Sequence, residues 1–72
     1  MFLVETMSPK QLSAMLIKLR GQRMTQEKLA KRAKVSRGYL AAIEAGHRKN
    51  PSLAVLKRLA KALGVPVTEL LG

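Results

Sequence analysis

The sequence predicts an all-α fold, a compact set of five short helices, on three observations. Its apolar residues are mostly Leu, Ala, Val and Met, with one Phe, one Tyr and no cysteine, and β-branched clusters are few, which favours helices over a sheet. Leucines recur at helical spacing rather than in alternation. Ser, Thr and Gly stand where helices would begin and stop.

Residues 1–7 show no periodicity and read as a loosely ordered N-terminal arm, with Met7 an alternative start. Residues 8–72 read as a single domain without repeats or low-complexity tracts. Ser8-Pro9 supplies an N-cap followed by proline at the first helical position. Leu12, Leu16 and Leu19 then put leucine on one face of a first helix that runs to about Arg20 and ends at Gly21. Thr25 caps a second helix whose buried edge is Leu29, Ala30 and Ala33; Lys28 stands where a capping box would want Glu or Gln. The small side chain of Ala30 lets neighbouring helices approach closely, and a larger one would overpack the contact. Ser36 caps a third helix over about 36–45, with Leu40 and Ile43 inward and Gly46 as its stop. His47 to Asn50 form a basic loop, and Asn50-Pro51 is a turn signal. Ser52 opens a fourth helix with Leu53, Leu56, Leu59, Ala60 and Leu63 inward and Lys57, Arg58 and Lys61 outward as solvated surface. Gly64 stops it. Pro66 starts a last short helix through Leu71 that buries Val65, Val67, and Leu70 or Leu71.

Charge narrows the partners. Fourteen Lys and Arg against four acidic residues give a formal net charge of +10, and ten of the basic residues lie between Lys18 and Lys49 with only Glu27 and Glu44 as acids. The excess coincides with two helices joined by a short turn, Gln26 to Ala45, whose second helix leaves Arg37, Gly38, Tyr39, Ala41 and Ala42 outward. Such a unit can lay its second helix in the major groove of a duplex, and a polyanion suits its charge. The acids at 5, 27, 44 and 69 form no carboxylate pair. His47 has no companion at metal-ligand spacing, and Ser36 and Ser52 are caps with no general base placed for them. Neither a catalytic residue nor a metal or cofactor site is expected. Phe2-Leu3-Val4 is too short for a signal-peptide core, and no run approaches the roughly 20 apolar residues of a membrane span. A cytoplasmic protein is the simplest reading.

Thr25-Gln26-Glu27-Lys28-Leu29-Ala30, Val35-Ser36, Ile43-Glu44-Ala45-Gly46, Pro51-Ser52-Leu53 and Ala62-Leu63-Gly64-Val65 resemble the lambda-repressor-like, or Cro/C1-type, helix-turn-helix regulators over about residues 12–71. The resemblance implies a compact five-helix lambda-repressor-like domain, a homodimer on a pseudo-palindromic operator, and repression or autoregulation in a bacterial or phage setting on the nucleoid. It also implies an ion pair between Arg20 and Glu44, joining the end of the first helix to the end of the third. A dimer seam at Val67, Leu70 and Leu71 is implied as well. Lys34 stands where that family often has glycine, and a non-glycine residue in a left-handed turn costs roughly 1 kcal/mol or more. Gly38, Ala41 and Ala42 replace the longer polar side chains that many members use on bases.

Arg37, one residue past the Ser36 cap, is the first choice for reading a base, because Arg bidentate to guanine is the commonest specific contact; a phosphate contact or plain solvation is its rival. Gly38 allows close backbone approach to DNA, or is simply tolerated in a first turn. Tyr39 offers a hydroxyl to a phosphate or a ring to a thymine methyl, with packing against the second helix as the alternative. Ala41 and Ala42 can offer only apolar contact, so discrimination is expected to be thin and to lean on DNA shape. Phosphate contacts are expected from Arg23, Thr25, Gln26, Ser36, Arg48, Lys49, Asn50 and Ser52, with Lys28 and Lys34 as further candidates beside Arg23. For Gln26 the resemblance adds its own support, since the matching family residue contacts the DNA backbone. Two other functions compete with a dimeric repressor: an antitoxin or adaptor whose main task is a partner protein such as a toxin, and a non-specific architectural DNA binder.

Overall fold

The computed structural model describes residues 8–21, 23–48 and 51–71. They form four α-helices, α1 (Pro9–Arg20), α2 (Gln26–Ala33), α3 (Arg37–Glu44) and α4 (Leu53–Leu63), and a closing 3-10 helix, Val67–Leu70. The arm expected over residues 1–7 lies outside the described residues.

Each α-helix begins on a hydroxyl that accepts an otherwise unpaired amide of the first turn. Ser8 accepts from Gln11, Thr25 from Lys28, Ser36 from Tyr39 and Ser52 from Val55. The Gln11 side chain returns a bond to the Ser8 amide, which completes a capping box at α1 that the sequence reading had not identified.

Three of the helices end alike. After α2 the Val35 amide reaches back to the Ala30 carbonyl and the Lys34 amide to Lys31; after α3 and α4 the same pairs join His47 to Ala42 with Gly46 to Ile43, and Val65 to Ala60 with Gly64 to Lys61. This double closure requires a left-handed residue at its hinge. Glycine fills it at 46 and 64, whereas after α2 the residue is Lys34, at φ 58 and ψ 42. The strained lysine expected from the sequence is therefore present. Gly21, at φ 45 and ψ −128, ends α1 in backbone open only to glycine, and a Cβ there would sit 3.1 Å from the Lys18 carbonyl.

The core takes Leu12 and Leu16 from α1, Leu29, Ala30 and Ala33 from α2, Leu40 and Ile43 from α3, Leu56, Leu59, Ala60 and Leu63 from α4, and Leu70 from the 3-10 helix. α3 lies between α1 and α2, α2 also packs on α4, and the 3-10 helix closes the unit against α4 and α1. Two expectations need correction. The last element is a four-residue 3-10 helix with Pro66 as its cap, not a helix running through Leu71. Leu53, expected inward, is 51% exposed. It shares the side of α4 that carries Ala60 two turns on, yet Ala60 is buried and Leu53 is not.

Candidate nucleic-acid interface

α3 is held by its inner side alone. Leu40, Ile43 and Glu44 are buried, Arg37 and Gly38 are exposed, and Tyr39, Ala41 and Ala42 are half-buried. The first two residues of the helix, Arg37 and Gly38, therefore stand exposed behind the Ser36 hydroxyl, while Tyr39 and Leu40 turn back toward the core. A Cβ built on Gly38 would meet nothing within 4 Å, so nothing in the chain's own packing calls for glycine there.

What fixes the other end of α3 is Glu44, a carboxylate only 6% exposed. Burying a charge demands partners for its lone pairs. Arg20 supplies two, from Nε to Oε2 and from a terminal nitrogen to Oε1, both at 2.8 Å. The same guanidinium also donates to the Met24 carbonyl at 3.2 Å, so it ties α1 to the segment entering α2. The Ser13 hydroxyl donates to the Glu44 carbonyl, a further fastening of α1 to α3. Pairing with Glu44 raises the Arg20 pKa above its ordinary value, chiefly through the hydrogen bonds. The ion pair implied by the resemblance is thus present, inside a wider network than the sequence suggested.

Gln26 belongs to that network. Its amide nitrogen donates to Glu44 Oε1 at 2.9 Å, so the contact of its side chain in the free chain is with α3 and not outward, as the phosphate reading expected. The reason is the nearly sealed carboxylate, whose lone pairs a bidentate arginine alone does not exhaust. Gln26 still lines, with Arg20, Thr25, Glu27 and Arg37, one surface depression between the starts of α2 and α3. The structure thereby brings the first choice for base reading beside two of the expected phosphate contacts.

The remaining residues group as follows. Thr25, Ser36 and Ser52 spend an oxygen lone pair on capping, which leaves each hydroxyl hydrogen available to a phosphate. Arg48 lies over the Tyr39 ring, 4.6 Å from its centroid. That cation–π contact joins the loop after α3 to Tyr39, which, expected outward, is half-buried and packs against the core; nothing in spacing shows which way the loop folds back. Arg23 is exposed in the link between α1 and α2. Lys49 and Asn50, expected beside Arg48 as a phosphate clamp, lie outside the described residues.

Two further corrections concern residues away from α3. Leu70, expected at a dimer seam, is 1% exposed and belongs to the chain's own core; Val67 and Leu71 are half-buried beside it. Arg58, read as solvated surface, donates from Nε to the Ala33 carbonyl at 3.0 Å and so satisfies the end of α2. Among the described residues no cluster of three or more His, Cys, Asp or Glu could hold a metal, and no helix is long and apolar enough to cross a membrane.

Two short helices hinged on a left-handed residue, the second with Arg37 and Gly38 exposed at its start, define a helix-turn-helix module. The chain belongs to the Cro/C1-type helix-turn-helix family, which its residues 16–70 match. It is 47% identical over 51 residues to the immunity repressor protein of Bacillus phage phi105. The match takes in 71% of this chain but 35% of that protein, so the chain spans about a third of the relative's length. Its fold is similar to that of the restriction-modification controller protein C.AhdI from Aeromonas hydrophila, with a TM-score of 0.81 and 33% identity over 86% of this chain and 94% of that one. It is also similar to SinR, a master regulator for biofilm formation solved in complex with DNA, with a TM-score of 0.78 and 28% identity over 82% and 95% of the two chains. The family is one of DNA-binding transcription regulators and not of enzymes.

Proposed function

We propose that this chain is a sequence-specific repressor or autoregulator that binds a pseudo-palindromic operator as a homodimer, each copy laying α3 in a major groove. The reading is carried by the start of α3, where Arg37 and Gly38 are exposed while Glu44 anchors the far end. Arg37 reads a guanine, and Gly38 lets the helix backbone come close to the duplex. Tyr39, Ala41 and Ala42 offer apolar contact beside them. Thr25, Ser36, Ser52, Arg23 and Arg48, with Lys49 and Asn50, hold the phosphates that flank the groove. Val67 and Leu71 are the residues of the 3-10 helix and its exit left for a two-fold seam. The name of the phage relative supports repression, and the solved DNA complex of a relative supports a duplex as ligand. A cytoplasmic site of action on the nucleoid follows from such a role.

Selection of bound duplexes from a random pool, followed by footprinting, tests the reading. A two-fold motif with half-sites about one helical turn apart supports it. Recovery of no motif, with equal binding to all duplexes, overturns it in favour of an architectural binder.

A further inference from the structure

A second cluster of cations lies at the other end of α2 from Gln26. Arg32 and Lys34, at the end of that helix, and Arg58 and Lys61, on α4, line one cleft floored by Ala62. Of the residues named above for bases or phosphates only Lys34 takes part in it, and no carboxylate lines it. The α2 helix has eight residues, so this cleft and the depression at Gln26 and Arg37 are separated by roughly 10 Å at 1.5 Å per residue.

Four like charges around one cleft repel one another, and the arrangement is relieved only by an anion. One of the four is also oriented. The bond from Arg58 Nε to the Ala33 carbonyl at 3.0 Å fixes the plane of its guanidinium. Among the described residues its two terminal nitrogens have no protein partner. A planar fork held by its Nε edge presents the other two nitrogens in the spacing that matches two oxygens of a phosphate.

We infer that Arg32, Lys34, Arg58 and Lys61 form a second phosphate-binding cleft, one that engages phosphate groups other than those gripped around α3. The phosphates come either from a duplex segment other than the one that holds α3 or from a free oligophosphate. The inference does not depend on operator recognition, since the cleft shares no residue with the α3 surface.

The test follows the Arg58 Nε–H and lysine side-chain signals by NMR in the full chain and in Arg32→Ala/Lys61→Ala, a pair of exposed positions that leaves the core intact. One arm adds inorganic triphosphate to the protein alone. The other adds a second, unrelated duplex to protein already saturated with a selected operator duplex or, lacking one, with a random-sequence duplex. Shifts at Arg58 in either arm, joined by Lys61 in the unaltered chain and weakened at Arg58 at least about tenfold in the double variant while affinity for the first duplex changes less than about threefold, support the inference and tell which source is taken. No shift in either arm overturns it. So does a double variant that loses affinity for the first duplex with a salt slope shallower by about 2, because the cleft would then belong to the first interface.

Discussion

Arg20 and Glu44 meet through two parallel hydrogen bonds of 2.8 Å, both from one edge of the guanidinium, with the carboxylate almost wholly out of water. This contact links the last residue of α1 to the last residue of α3, and through Gln26 it reaches the first residue of α2. The orientation of the recognition helix is therefore set by a polar network as well as by its apolar side.

Removing Arg20 leaves Glu44 buried with only the Gln26 amide, so Arg20→Ala is expected to cost about 3–5 kcal/mol in urea unfolding. Replacing both partners, as Arg20→Met/Glu44→Leu, is expected to recover most of that loss, because an apolar pair leaves no orphaned charge. The raised pKa of Arg20 places the pair's pH dependence on the alkaline side. Its stabilisation is complete below the ordinary guanidinium value and fades only as pH rises through the higher, folded one. Urea midpoints between about pH 6 and pH 10 should show no loss from Arg20.

Gly38 gives opposite expectations for stability and binding. Ala in its place meets no atom of the chain and should stabilise α3 by about 0.5–1 kcal/mol. The added methyl stands on the exposed first turn, so the same variant should bind duplex more weakly. Thermal melts and a titration on one preparation check both; unchanged binding would show that close approach is not the role of Gly38.

Tyr39 is the single tyrosine of a chain without tryptophan, so its fluorescence reports the contact with Arg48. Arg48→Ala is expected to raise acrylamide quenching of that emission in the free protein, with a stability change below about 1 kcal/mol. Quenching equal to that of the unaltered chain would mean that the stacked arrangement does not persist in solution.

The burial pattern separates two leucines. Leu70→Ala opens a hole in the core and should cost about 2–5 kcal/mol, while Leu53→Ala, at a half-exposed site, should cost less than about 1 kcal/mol. A comparable loss for both would place Leu53 in an interface between copies.

The local grammar of the chain was legible: hydroxyl caps at 8, 25, 36 and 52 and glycine stops at 46 and 64 are where the residue pattern placed them, and the strained Lys34 is where the family resemblance implied it. These depend on neighbours within a few positions. What escaped depends on how helices cross. The bonds from Gln26 to Glu44 and from Arg58 to Ala33 join residues 18 and 25 positions apart, and no periodicity encodes them. Leu53 fits the helical phase yet is exposed, since phase says which side a residue takes but not whether another element covers it there. The burial of Leu70 within its own core was one of two options in the sequence, and packing against α1 and α4 decided it.

Arg37, presented by a helix whose other end is locked to Arg20, is proposed to read a base. Competition binding of Arg37→Ala against a set of single-base operator variants tests it most directly. The account predicts that discrimination falls by about 1–3 kcal/mol at one position per half-site and is kept at the others. A variant that ranks every operator as the unaltered protein does would contradict it.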